Sequence, residues 1–197
     1  MTDYSPFLIF SMPRSRSAWL SNFLSTGSVL CLHDGLRFSR DPPSIKSVFD
    51  AVAEGSPHKD PIIGNCDNGM CLFADEVMAE MPDAKYAVVM RKPGRVRVSL
   101  SKLLPDLDAD VVDNIVDKSW EAMKDLAARG IGPVVDFDDL TEPKVGRYLW
   151  EHLIPDLDFP EARWALHQRY HVELHEPAYA SDISPEFKNL VFNRLEE

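Results

Sequence analysis

Short, β-rich apolar runs alternate with helix-like segments along this chain, and that alternation constrains the fold more than any other feature. Residues 7–11, 29–32, 61–64, 85–90 and 134–137 read as strands. Helical patterns cover 17–26, about 42–52, 70–81, 93–104, 110–129 and 142–153, with two more near 160–170 and 184–195. The run Lys85-Tyr86-Ala87-Val88-Val89-Met90 is continuous rather than alternating, as in a parallel strand covered on both faces. Strands separated by helices pair in parallel through crossovers. The pattern therefore predicts an α/β fold of three layers around a central, mostly parallel sheet. At 197 residues, without repeats, low-complexity tracts or a long linker, residues 1–197 read as one domain.

Local signals mark several element ends. Trp19, Leu20, Phe23 and Leu24 share one side of the first helix, and Gly27 offers a C-cap. Pro42-Pro43 suits a first helical turn. Asp108 or Asp110 can cap the long helix that follows. Acidic clusters at 106–110 and 136–139 invite a calcium reading. An EF-hand loop, however, wants glycine where Val111 stands and glutamate where Asp117 stands, so caps and solvated turns fit better. Trp120, Trp150 and Trp164 read as core packing.

The net charge of −11 is uneven: residues 1–100 balance 11 basic against 11 acidic groups, and the remainder carries the whole excess. So acidic a chain lacks the broad basic face that nucleic-acid binding needs. No apolar run reaches the about 18 residues of a membrane span, and the N-terminus lacks a signal-peptide pattern. Cys31, Cys66 and Cys71 are odd in number and lack metal-ligand spacing. A cytoplasmic protein with reduced thiols is expected, binding neither nucleic acid nor membrane.

Two basic turns carry the chemistry. In "SMPRSRSAWL", residues 11–20, Arg14 and Arg16 alternate with Ser15 and Ser17 between the first strand and its helix. Ligands of open parallel sheets bind beyond the carboxyl ends of the strands. There, guanidinium groups, hydroxyls and the first N–H groups of a helix all favour a phosphate-like anion. In "YAVVMRKPGRVRVSL", residues 86–100, Arg91 ends the clearest strand and Ser99 lies eight positions on, in the next helix. No GxxxxGK[ST] motif occurs, which disfavours an ordinary Walker-type triphosphate site.

Together these stretches resemble the sulfotransferases, which transfer a sulfuryl group from 3′-phosphoadenosine 5′-phosphosulfate to a hydroxyl or amine on a fold similar to P-loop nucleotide kinases. Pro13-Arg14-Ser15-Arg16-Ser17-Ala18-Trp19-Leu20 resembles the family's 5′-phosphosulfate loop, P-[KR]-S-G-[ST]-[ST]-W-L. Arg91-Lys92-Pro93 through Ser99 resembles its 3′-phosphate motif, R-x-P-x-x-x-x-x-S. "VVDFDDL" is similar to the family's late strand and acidic turn, and the likeness runs over about residues 5–155. The resemblance implies that Arg14 is catalytic, stabilising charge on the leaving phosphate oxygen. It implies that Ser15, Arg16 and Ser17 cradle the 5′-phosphosulfate and that Arg91 and Ser99 hold the 3′-phosphate. No metal is required, because the donor is already activated. Arg16 stands where the family has glycine, Ala18 replaces a hydroxyl residue, and the glycine-rich C-terminal cofactor segment of cytosolic members is not visible.

Sulfuryl transfer gains from a general base near the acceptor. "CLHDGLR", residues 31–37, puts His33 and Asp34 at the ligand edge. Asp34 with Arg37 resembles the base region of tyrosylprotein sulfotransferases, and Asp67 is a further candidate. The expected acceptor is a small molecule or peptide. Two other readings stay open: a P-loop-type kinase with a degenerate phosphate loop, and a non-catalytic nucleotide- or protein-binding module on the same fold.

Overall fold

Four consecutive apolar residues, Phe7 to Phe10, have two faces to bury, and the fold supplies a helical layer for each. Phe7 and Ile9 enter one core cluster, Leu8 and Phe10 the other, and all four are fully buried. Burying each such side chain contributes on the order of 1.5–3 kcal/mol. A computed structural model describes residues 3–38 and 44–169 of the chain. The sheet contains β1 (Ser5–Ser11), β2 (Val29–His33), β3 (Ile62–Asp67), β4 (Lys85–Met90) and β5 (Val134–Asp136). Their order is β2-β3-β1-β4-β5, and every neighbouring pair is parallel.

Seven helices lie among the described residues: α1 (Ser17–Leu24), α2 (Ile45–Gly55), α3 (Ala74–Glu80), α4 (Pro93–Leu103), α5 (Ala109–Arg129), α6 (Pro143–Leu153) and α7 (Glu161–His167). α1, α6 and α7 cover the Phe7/Ile9 face, while α2 to α5 cover the other. This is the expected three-layer α/β architecture, with a sheet that is parallel throughout. Trp150 and Trp164 are buried in the first cluster, and Trp120 packs half-buried on the second. Gly64 faces Phe7 across the β1–β3 ladder, where an added Cβ would lie 2.0 Å from the ring. Only glycine lets that ring lie flat against the neighbouring strand.

Several boundaries differ from the sequence reading. α1 stops at Leu24, because the Ser25 hydroxyl bonds back to the Ser21 carbonyl and accepts from the Cys31 amide at 2.9 Å. Gly27 (φ 57°) serves the turn into β2 instead of capping the helix. β3 runs on to Asp67, and the segment after it begins as a 3-10 turn, Met70–Phe73, before α3. α2 starts at Ile45, where the Ser44 hydroxyl accepts from the Ser47 amide. Pro42-Pro43 and the helix expected near 184–195 lie outside the described residues. Asp108 caps α5, accepting from the Asp110 amide, and Gly130 (φ 64°) ends it in the left-handed conformation that glycine adopts freely. Asp136 caps the next turn by accepting from Asp138, so both acidic clusters act at helix starts. The three cysteines are free and buried. No described helix is long and apolar enough to cross a membrane.

The topology fixes where a ligand can bind. From β1 the chain enters α1 on one face of the sheet, and from the adjacent β4 it enters α4 on the other. Helices leaving neighbouring strands toward opposite faces open a crevice at the strands' carboxyl ends.

Candidate anion-binding site

The turn from β1 into α1 occupies that crevice, and its backbone is held in an unusual shape. Arg14 (φ 62°) and Arg16 (φ 59°) are both left-handed. That conformation costs an L-residue about 1–2 kcal/mol. Arg16 is the N-cap of α1 and offers no side-chain acceptor to the helix. The first N–H groups of α1 therefore keep the donor capacity that attracts an anion. Ser15, between the two arginines, is fully buried, and its Oγ has no hydrogen-bond partner among the described residues. An unpaired buried hydroxyl costs free energy that a ligand oxygen can offset.

The second basic turn meets the first. Arg14 Nε donates to Ser99 Oγ at 3.2 Å, across 85 residues of sequence. An Arg91 guanidinium N–H donates to the Arg14 carbonyl, across 77 residues, while Arg91 Nε is buried without a partner among the described residues. Arg91 and Arg16 both lie over the ring of Phe137, their guanidinium carbons 4.1 Å and 4.7 Å from its centroid. Burial first, then the like charges of Arg14, Arg95 and Arg16, lowers the Arg91 pKa, and Asp138 opposes them. Clustered guanidinium groups of one sign fit an anionic ligand.

A polar network lines the neighbouring edge. Ser17 Oγ and His33 Nε2 share a hydrogen bond of 2.9 Å, and the same nitrogen lies 3.4 Å from Asp34 Oδ2. Asp34 (φ 51°) also stands in the left-handed region. Its Oδ1 accepts from the Asn68 amide at 3.2 Å and from Asn68 Nδ2 at 3.0 Å. Asn68 Oδ1 in turn accepts from Ser11 Oγ at 3.0 Å. The Asp34 side chain keeps 23% of its surface exposed, enough to meet a substrate.

Asp67 differs. It is 2% exposed, and its two oxygens accept from the Gly69, Met70 and Leu36 amides and from Asn65 Nδ2. Burial, then the charge of Asp34, pushes its carboxyl up to about 6 against those donors. This carboxylate holds the β3 turn together and is closed off from solvent.

The structure thus gathers Arg14, Ser15, Arg16, Ser17, Arg91 and Ser99 at one end of the sheet, with Asp34 and His33 beside Ser17. Sequence reasoning missed Phe137 and Asn68. Phe137 stood inside the stretch "VVDFDDL", but an aromatic residue after a strand carries no signal that it faces two arginines. Asn68 carried none either.

An all-parallel sheet with an arginine-rich loop after its central strand defines the class: an α/β protein with a basic turn at the sheet's carboxyl edge. Within that class, the fold is sulfotransferase-like. The sulfotransferase domain of the Synechococcus PCC 7002 olefin synthase superposes with a TM-score of 0.62 at 16% identity, covering 100% of this chain and 89% of that one. The sulfotransferase domain of the curacin biosynthetic pathway gives 0.60 at 15% identity, covering 93% and 84%. A sulfotransferase from Alicyclobacillus acidocaldarius gives 0.54 at 14% identity, covering 97% and 94%. No protein-family model and no curated protein matches the sequence.

Proposed function

We propose that this chain is a sulfotransferase, moving a sulfuryl group from 3′-phosphoadenosine 5′-phosphosulfate to a hydroxyl or amine of a small-molecule or peptidic acceptor in the cytoplasm. One observation carries the reading. The two basic turns join through Arg14–Ser99 and Arg91–Arg14 contacts, so groups distant in sequence form a single cationic site. Buried, unpartnered Ser15 Oγ and Arg91 Nε fit the oxygens of a doubly phosphorylated ligand.

The donor supplies an activated sulfuryl group, so the chemistry requires alignment and charge stabilisation and no metal. Ser15, Arg16, Ser17 and the α1 amides bind the 5′ end, and Arg91 and Ser99 bind the 3′-phosphate. Arg14, held against Ser99, is placed to stabilise negative charge building on the oxygen between phosphorus and sulfur. Asp34 takes the acceptor's proton, its carboxylate oriented by the paired Asn68 donors.

Thermal melting with nucleotides tests the reading. A ligand at a hundred times its Kd stabilises a fold by about 2.7 kcal/mol. 3′,5′-Bisphosphoadenosine should therefore raise Tm clearly without magnesium, and more than AMP or ATP does. Arg91→Ala should remove much of that shift, since hydrogen bonds to charged groups contribute about 1.5–3 kcal/mol. A larger, magnesium-dependent shift with ATP would favour a kinase. No shift with any adenine nucleotide would favour a non-catalytic module.

A further inference from the structure

Two guanidinium groups share one aromatic ring at the mouth of the site. The Arg91 guanidinium carbon lies 4.1 Å from the Phe137 centroid, and that of Arg16 lies 4.7 Å from it. The two cations are therefore within about 9 Å of one another, the sum of those distances. Like charges so placed repel, and Arg16 is among the groups that lower the Arg91 pKa. Asp138 opposes part of that repulsion; what remains must be offset, and two long side chains held in one arrangement. The negative face of an aromatic ring does both, because a cation over the ring is attracted by its quadrupole and loses rotamer freedom before any ligand arrives.

Each arginine has a different second anchor. Arg91 also donates to the Arg14 carbonyl, and its Nε stays buried without a partner. Arg16 is tethered by its backbone, as the left-handed N-cap of α1. Phe137 itself is half-buried in the turn after β5, and the cap bond from the Asp138 amide to Asp136 Oδ1, at 2.9 Å, holds that turn. The ring thus joins the β1 turn to the β4 turn from a third element.

We propose that Phe137 is a positioning residue that sets Arg16 and Arg91 as a paired clamp for two linked phosphate-like groups, so that one ring couples the two ends of the anion site. The inference rests on the donor-site reading above and adds a mechanism for this chain's arginine at position 16. In this arrangement Arg16 does more than fill a glycine's place: its guanidinium faces the same ligand as Arg91, at the other of its two phosphate-like groups. The clamp acts on phosphate-like charge and needs no nucleobase, so a base-free ligand must sense the ring.

The experiment compares wild type, Phe137→Leu and Phe137→Trp by calorimetric titration with inorganic pyrophosphate and with 3′,5′-bisphosphoadenosine. Unliganded far-UV CD and Tm confirm folding. NMR of the Arg16 and Arg91 Nε–H signals reads the ring-current shift in the same unliganded proteins. Phe137→Leu should erase both ring-current shifts and weaken pyrophosphate and the nucleotide alike, by about tenfold, as expected for the loss of two partly desolvated cation–π contacts. Phe137→Trp should restore shifts and affinity, because a larger ring serves the same role. If Phe137→Leu weakens only the nucleotide and leaves pyrophosphate unchanged, the ring touches the base and the clamp is refuted. Erased shifts with unchanged affinities refute it equally. If wild type binds pyrophosphate through the ring but does not prefer 3′,5′-bisphosphoadenosine, the clamp stands and the sulfuryl-donor reading falls. If wild type binds neither ligand, both fall.

Discussion

Replacing Asp67 by asparagine should change how stability depends on pH, and the structure sets the sign and size of that change. Asp67 is buried, and burial together with the Asp34 charge raises its carboxyl from the ordinary 3.8 to about 6 in the folded protein. Below pH about 4 the group is protonated in both states, and its ionisation costs nothing. Between about 4 and 6 the unfolded chain releases its proton first, so the folded state binds more protons and stability falls as pH rises. Above about 6 the whole cost is present, about 3 kcal/mol for a gap of that size. An asparagine side chain never ionises. Its amide N–H groups, however, would face the Leu36 amide and Asn65 Nδ2, which donate to Asp67 at 3.4 and 3.3 Å. That mismatch costs about 1–3 kcal/mol at every pH. Urea denaturation of both proteins at pH 4, 5, 6 and 7 should therefore show Asp67→Asn at its greatest disadvantage at pH 4. The deficit should shrink by about 2 kcal/mol between pH 4 and pH 7, because the unfolded group is already mostly ionised at pH 4. Taking the difference between the two proteins cancels the carboxylates that do not feel Asp67; Asp34, which does, contributes with it. Parallel curves would refute the argument that burial keeps Asp67 costly to ionise.

Three further outcomes follow from the same geometry. Arg14→Ala should lower sulfuryl transfer on the order of a hundredfold or more while Tm stays near wild type; retained turnover would remove Arg14 from its role. Asp34→Asn should reduce turnover by ~10²–10⁴-fold with a much smaller change in donor affinity by titration, whereas a matching loss in His33→Ala alone would move the base to His33. Arg16→Gly should raise unfolding free energy by up to about 1 kcal/mol, because glycine adopts φ 59° without strain but loses more chain entropy on folding; a drop would mean that the Phe137 contact outweighs the strain.

The layered α/β fold was legible in the sequence because it rests on local, periodic properties. The continuous run at 85–90 marked a strand buried on both faces, and β4 emerged at those residues. The order of strand, basic turn and helix at 7–24 and again at 85–103 placed Arg14 and Arg91 at carboxyl ends. Nothing more than chain direction and the parallel rule was needed for that. The candidate site residues came from a resemblance of short motifs, which names residues one segment at a time.

Tertiary structure decided everything that depends on two segments meeting. Arg14 touches Ser99 only because β1 and β4 are neighbours in the order β2-β3-β1-β4-β5, and no periodicity in either segment encodes that adjacency. Asp34 and Asp67 both stood in the sequence as candidate bases, Asp34 first and Asp67 as a further candidate. Burial separates them, because one closes the β3 turn with its oxygens taken up by N–H donors while the other remains partly exposed beside His33. Arg163, on which the sequence carries no signal, donates to the Phe23 and Ser25 carbonyls at 2.9 and 2.8 Å and ties α7 to the end of α1. Phe137 is the sharpest case. Its ring matters through two arginines 121 and 46 positions earlier in the chain, and only the packing of three strand ends brings them to it. A sequence specifies burial and local geometry residue by residue, whereas the charge and hydrogen-bond partners of a site are properties of distance, which the chain acquires only when the sheet closes.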